Sequence, residues 1–236
     1  MRTVQVTRWD PDRRDEVLQA LRSRQGSIDS KTEETVRDII QAVRDRGDAA
    51  VLSYTEAFDK ASLTAATIKV AEEELETAWQ AVDEPYKKSL EKACGMIKSF
   101  HEKQRQSSWV DTSSEGIWLG QKVTPLDIVG VYVPGGKAAY PSSVLMNVVP
   151  AQVAGVGRII MVTPPGPIGT INPVILAAAR VAGITEIYKV GGAQAVAALA
   201  YGTQTIPRVD KITGPGNQFV ALAKRVVYGQ VDIDMI

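Results

Sequence analysis

The 236-residue chain has one cysteine and one histidine. Cys94 alone closes no internal disulfide, and such sparse use fits a reducing compartment. With His101 as its only imidazole, the chain cannot build a zinc site from several His and Cys side chains. Excess charge is missing too, since 27 Lys and Arg balance 27 Asp and Glu. That balance argues against nucleic acid or an anionic membrane as a partner. No apolar run approaches the ~18 residues of a membrane span. The opening MRTVQVTRWDPDRRDE lacks the apolar centre of a signal peptide. The expectation is a soluble, cytoplasmic protein, and a chain of this length buries roughly 70–75% of its extended surface without a covalent staple.

What is present divides unevenly. Residues 1–120 carry 40 charged residues, 5 Gly and 2 Pro; residues 121–236 carry 14 charged residues, 14 Gly and 10 Pro. The expected boundary separates a helix-rich part, 1–126, from a second domain, 127–236. In the first part, Asp10-Pro11 reads as a helix start running through Leu18 and Leu21. Ser30-Lys-Thr-Glu33 has capping-box spacing ahead of the apolar stripe Val36, Ile39, Ile40 and Val43. Gly47 ends that helix and Asp48 reads as the cap of the next, which carries Val51, Leu52, Tyr54 and Phe58. A further stripe runs from Leu75 to Phe100, with Pro85 near a helix start. Only Ile68–Val70 and the segments around Trp109 and Ile117-Trp118 suggest strands. A part with so little sheet either forms a helical layer or belongs to an incomplete α/β domain that takes strands from elsewhere.

The second part repeats one unit. Apolar runs Ile128–Val133, Arg158–Thr163, Glu186–Val190, Lys211–Thr213 and Val231–Ile236 alternate with apolar helical segments near 143–154, 171–182, 193–201 and 217–228. Strands apolar on both faces, alternating with helices, predict a doubly wound, Rossmann-like parallel sheet of five strands. Its strand-to-helix loops hold the polar and flexible residues: Val133-Pro-Gly-Gly-Lys, Thr163–Asn172, Gly191-Gly-Ala-Gln194 and Thr213-Gly-Pro-Gly-Asn217. All four fall on the rim at the carboxyl ends of the strands, where such sheets bind ligands. Helix N-termini there favour phosphate, and Gln194 and Asn217 add amides that donate and accept. The GxGxxG fingerprint is absent: in Gly214-Pro-Gly-Asn-Gln-Phe219, a phenylalanine takes the third glycine's place. The second strand ends in Thr163-Pro-Pro, where a ribose-binding carboxylate would ordinarily stand. His101-Glu-Lys is no metalloprotease motif, Cys94 lies on an apolar stripe, and Asp232 and Asp234 could flank a site or merely cap an edge.

Gly130-Val-Tyr-Val-Pro-Gly-Gly136, Tyr140-Pro-Ser-Ser-Val-Leu-Met-Asn147, Pro150-Ala-Gln-Val-Ala-Gly155, Gly191-Gly-Ala-Gln-Ala-Val196, Gly214-Pro-Gly-Asn217 and Asp232-Ile-Asp-Met-Ile236 resemble histidinol dehydrogenases in order and spacing. The resemblance implies oxidation of L-histidinol to L-histidine through the aldehyde. The cofactors it implies are two NAD per turnover and a zinc ion, and the assembly is a homodimer. It places Tyr132, Gln194 and Asn217 at NAD, with the Tyr132 ring laid on the cofactor, and Ser142 near the substrate. Gly135 or Gly136 is expected to admit the ligand to the backbone or to take positive φ. The family's members are nearly twice as long. An Ala-Gly-Pro-Ser run, the zinc ligands and the acid–base glutamate and histidine are expected beyond Ile236. No catalytic or metal residue is therefore assigned within these 236 residues, and the chain is expected to be an inactive amino-terminal part carrying the NAD platform. A non-catalytic nucleotide-binding or assembly module is the rival reading.

Overall fold

The computed structural model describes residues 14–24, 30–135 and 139–235. The chain divides into two compact units, Met1–Thr35 and Val36–Ile236. The first contains α1 (Arg14–Arg24) and the opening of α2 (Ser30–Arg46). The expected start at Asp10-Pro11 lies outside the described residues.

In the larger unit, five parallel strands form one sheet: β3 (Ile128–Tyr132), β4 (Arg158–Thr163), β5 (Ile187–Lys189), β6 (Lys211–Thr213) and β7 (Asp232–Ile233). A separate hairpin, β1 (Trp109–Asp111) with β2 (Leu119–Gln121), precedes them. The boundary expected at residue 126 falls between β2 and β3. The sheet order is β5-β4-β3-β6-β7, so the chain runs outward from β3 and then returns across it to β6. That reversal makes the β3/β6 junction the switch point of a doubly wound sheet.

Alternation along the strands explains why both faces are covered. Val129, Val131, Ile159 and Met161 point into one apolar cluster; Tyr132, Ile160 and Val162 point into the other. The first cluster takes in α6 (Pro141–Ala154) and α7 (Pro173–Val181). The second takes in α8 (Gly192–Tyr201) and α9 (Gln218–Val227). Each fully buried Val, Leu or Ile contributes about 1.5–3 kcal/mol. The sheet therefore rests on the continuous apolar runs already visible in the sequence.

The amino-terminal helices of this unit form an outer helical layer. α3 (Asp48–Asp59) packs on α8, α4 (Glu72–Gln80) on α7, and α5 (Glu84–Glu102) on α6. Asp83 caps α5 by accepting from the Tyr86 N–H at 2.8 Å. Between α3 and α4 the chain touches the sheet edge, where Lys69 bridges Tyr188 in antiparallel sense. The Val70 N–H donates to the Ile187 carbonyl at 2.9 Å, and Lys189 N–H donates to Ile68 at 2.7 Å. Asp48 does not cap α3; it is the helix's first residue and is buried. Its carboxylate accepts from the Thr205 N–H and hydroxyl, which pins the loop before β6. The β1–β2 hairpin is exposed, with Val110, Trp118 and Leu119 facing solvent. Among the described residues no helix is long and apolar enough to cross a membrane.

Candidate functional site

The buried unpaired side-chain atoms of the described residues lie toward the rim at the carboxyl ends of the strands. Among the described residues, four buried side-chain atoms lack a hydrogen-bond partner: Asp59 Oδ2, Gln194 Oε1, Gln194 Nε2 and Thr213 Oγ1. Gln194 is in the first turn of α8, directly after β5. Thr213 ends β6, beside the switch point. Asp59 ends α3 and lines a cavity of about 630 Å³ with Gly135, Thr163 and Pro164, residues that follow or end β3 and β4. Buried polar atoms are normally satisfied. Their gathering at one end of one sheet leaves hydrogen-bonding capacity unused there.

Gln194 is 1% exposed, and a Cβ at Gly192 would stand 2.5 Å from its Oε1. The Tyr132 hydroxyl accepts from the Gly192 N–H at 3.1 Å, tying the end of β3 to the start of α8. Burial pushes the Tyr132 phenol up to about 12, against the opposing hydrogen bond from Gly192 and with help from the Asp59 charge. The expected aromatic face is not available at the surface, because the ring sits in the apolar cluster; only its hydroxyl reaches the α8 turn.

Asn217 is exposed and caps α9, its Oδ1 accepting from the Phe219 N–H at 3.0 Å and the Val220 N–H at 3.1 Å. That duty leaves its Nδ2 to donate outward. Ser142 stands exposed in the first turn of α6, whose start has no side-chain cap. The start of α8 is likewise uncapped by a side chain, whereas Asn172 caps α7. Uncapped N-termini keep their N–H groups for an anion.

Gly135 differs from its expectation. Its φ is not positive, and a Cβ there would stand 2.6 Å from Pro164 Cγ. The glycine is required by Pro164 packing, and its exposed backbone still lines the cavity. Gly136 lies outside the described residues. Gly214 does take a positive φ, 111°, and a Cβ there would overlap the Tyr132 carbonyl oxygen. Lys224, 3% exposed, donates to the Gly214 carbonyl at 3.1 Å and to Asp234. Asp234 in turn accepts from the Gly214 N–H at 2.8 Å. Asp234 thus holds the rim loop, while Asp232 pairs with Lys211 at 2.7 Å at the surface.

Sequence reasoning did not single out Asp59 or Thr213. A signal for Asp59 exists: a carboxylate in a helix's last turn opposes the macrodipole. Burial pushes its carboxyl up to about 6. Elsewhere, His101 is partly exposed on α5 with Nδ1 2.7 Å from Gln104 Oε1, and Cys94 is half-buried against the core.

Strand order, switch point and rim together define a doubly wound α/β protein of the Rossmann-like class. A sequence model described as histidinol dehydrogenase matches residues 22–236, and the chain belongs to that family. It is 59% identical over 213 residues to histidinol dehydrogenase of Geobacillus kaustophilus, covering 89% of this chain and 50% of that protein. It is 57% identical over 204 residues to the Syntrophotalea carbinolica enzyme, covering 86% and 47% respectively. The crystal structure of histidinol dehydrogenase from Elizabethkingia anophelis superposes with a TM-score of 0.83 at 38% identity, over 89% of this chain and 48% of that one. The chain spans about half the length of the curated relatives it matches.

Proposed function

We propose that this chain carries the NAD-binding part of a histidinol dehydrogenase. Such an enzyme oxidises L-histidinol to L-histidine through histidinal, with two NAD, in the last steps of histidine biosynthesis. The observation that carries the reading is Gln194: a fully buried amide with neither Oε1 nor Nε2 paired, in the turn that follows β5. Its two orphaned atoms fit the amide and hydroxyl groups of a dinucleotide. Family membership supplies the rest of the support.

On this reading Gln194 hydrogen-bonds the cofactor's polar edge and Asn217 donates through Nδ2. Tyr132 fixes the α8 turn through its hydroxyl. Gly135 and Gly136 belong to the loop that borders the cofactor, and the uncapped start of α6 favours its pyrophosphate. Ser142, on the same turn, faces the substrate. NAD supplies a hydride acceptor when bound; these side chains bind it and orient it. Among the described residues no cluster of three or more His, Cys, Asp or Glu could hold a metal ion. The described residues therefore do not fit the family's zinc. We place the zinc ligands in the part of the relatives that this chain does not span, and the whole enzyme in the cytoplasm as a homodimer.

The test is calorimetric titration of the chain with NAD. Binding weakened about five- to 150-fold in Gln194→Met is expected from the loss of its hydrogen bonds, at about 1–3 kcal/mol. Equal affinity in both proteins would refute the assignment. No binding by the unaltered chain would favour an assembly module instead.

A further inference from the structure

An ordinary dinucleotide-binding sheet places an acidic residue at the end of its second strand, where it accepts from the ribose 2′-hydroxyl. In this chain the second strand of the five-stranded sheet in chain order, β4, is followed by Pro164-Pro165 after Thr163 and offers no carboxylate. The structure brings one there from a different element. Asp59, the last residue of α3, lines the same cavity as Thr163, Pro164 and Gly135. Its Oδ2 is buried and has no hydrogen-bond partner.

We propose that Asp59 is the ribose-recognising carboxylate of this site, accepting from the adenosine 2′-hydroxyl and selecting NAD over its 2′-phosphorylated form. The inference rests on the dinucleotide reading of the rim.

Three features of the placement argue for a ligand and against a structural duty. The carboxylate stands at the negative end of a helix, where the macrodipole disfavours it. It is partly desolvated, and its carboxyl is held above the usual range for that reason. The adjacent Lys60 gives it no counter-charge, because its ammonium donates to the Ala57 carbonyl at 2.8 Å. Desolvation, an opposing dipole and an unpaired oxygen all weigh against a stabilising role for this carboxylate in the ligand-free chain. An ionised carboxylate is acceptor-only, which suits hydroxyl groups and repels phosphate. Among the described residues lining the cavity there is no Lys or Arg to receive a 2′-phosphate.

The experiment titrates the unaltered chain, Asp59→Asn and Asp59→Glu with NAD, NADP and the 2′-deoxyadenosine analogue of NAD, and records thermal melts without ligand. The unaltered chain is expected to prefer NAD over the deoxy analogue by about ten- to a hundredfold, the range for a hydrogen bond to a charged group. Asp59→Asn should erase most of that preference, narrow the gap between NAD and NADP, and melt at a higher temperature. Asp59→Glu should retain part of the preference. Equal affinity of the unaltered chain for NAD and the deoxy analogue would overturn the inference and leave NAD binding itself intact. So would an Asp59→Asn chain that melts lower and loses NAD and NADP alike. If the unaltered chain binds none of the three, this inference and the NAD reading both fall.

Discussion

Replacing Gln194 by methionine should make the folded chain more stable while it weakens the NAD binding proposed for it. The side chain is 1% exposed and neither amide atom has a partner. A buried polar group left unpaired costs about 1–3 kcal/mol relative to an apolar replacement of the same shape. Methionine matches glutamine in length and nearly in helix propensity, so the first turn of α8 loses nothing locally. It also fits beside the Gly191-Gly192 turn without branching at Cβ or Cγ. The expected gain is about 1–3 kcal/mol, which for a chain of this size raises the melting temperature by roughly 2–12 °C. Urea unfolding followed by circular dichroism measures the gain; an unchanged slope would show that the unfolded state is unaltered. A Gln194→Met chain less stable than the parent would refute the reasoning, because it would mean that the amide is already satisfied in the folded protein.

Asp59 makes stability depend on pH. Its carboxyl ionises near pH 3.8 when unfolded and is pushed up to about 6 when folded. Between those values the folded chain holds a proton that the unfolded chain has released, so stability falls as pH rises from about 4 to about 6 and is flat beyond. The bare shift would amount to roughly 3 kcal/mol, and partial exposure reduces it to about 1 kcal/mol; unfolding midpoints against pH should show that loss, and Asp59→Asn should remove it. Gly214→Ala combines a φ of 111° with overlap of the Tyr132 carbonyl, and should cost about 2–4 kcal/mol in chemical unfolding. A fully stable variant would show that the rim loop is not packed as described. The 236-residue chain mixed with histidinol and NAD should give no NADH absorbance, since His101 is its only imidazole and lies on α5. Turnover by a preparation free of longer enzyme would place the chemistry within these residues.

The strands of the sheet were legible because glycines and prolines bound each apolar run. Even the ends of β4 and β6 match the runs Arg158–Thr163 and Lys211–Thr213. The rim followed from strand and helix alternation alone, which brings Gln194, Asn217 and Ser142 to helix starts whatever the strand order. What local pattern could not carry was long-range pairing. Ile68–Val70 reads as a strand, but its docking on β5 depends on residues more than a hundred positions away. Asp48 has the spacing of a helix cap, yet its partner is Thr205, so tertiary contact overrode a local signal. Asp59 and the end of β4 are likewise joined only by the fold. The burial of Tyr132 depends on how closely α8 and α9 approach the sheet, which periodicity does not measure.

The Lys224–Asp234–Gly214 arrangement gives the rim a mechanical property. One ion pair grips both backbone polar groups of Gly214, from the carbonyl side through Lys224 and from the N–H side through Asp234. Asp234 directly follows β7, which is the edge strand beside β6. The loop between β6 and α9 is therefore not an independent flap. Its amide exchanges with solvent only when the edge of the sheet lets go, so deuterium uptake at Gly214 should keep pace with uptake in β7 and lag far behind that of the exposed β1–β2 hairpin.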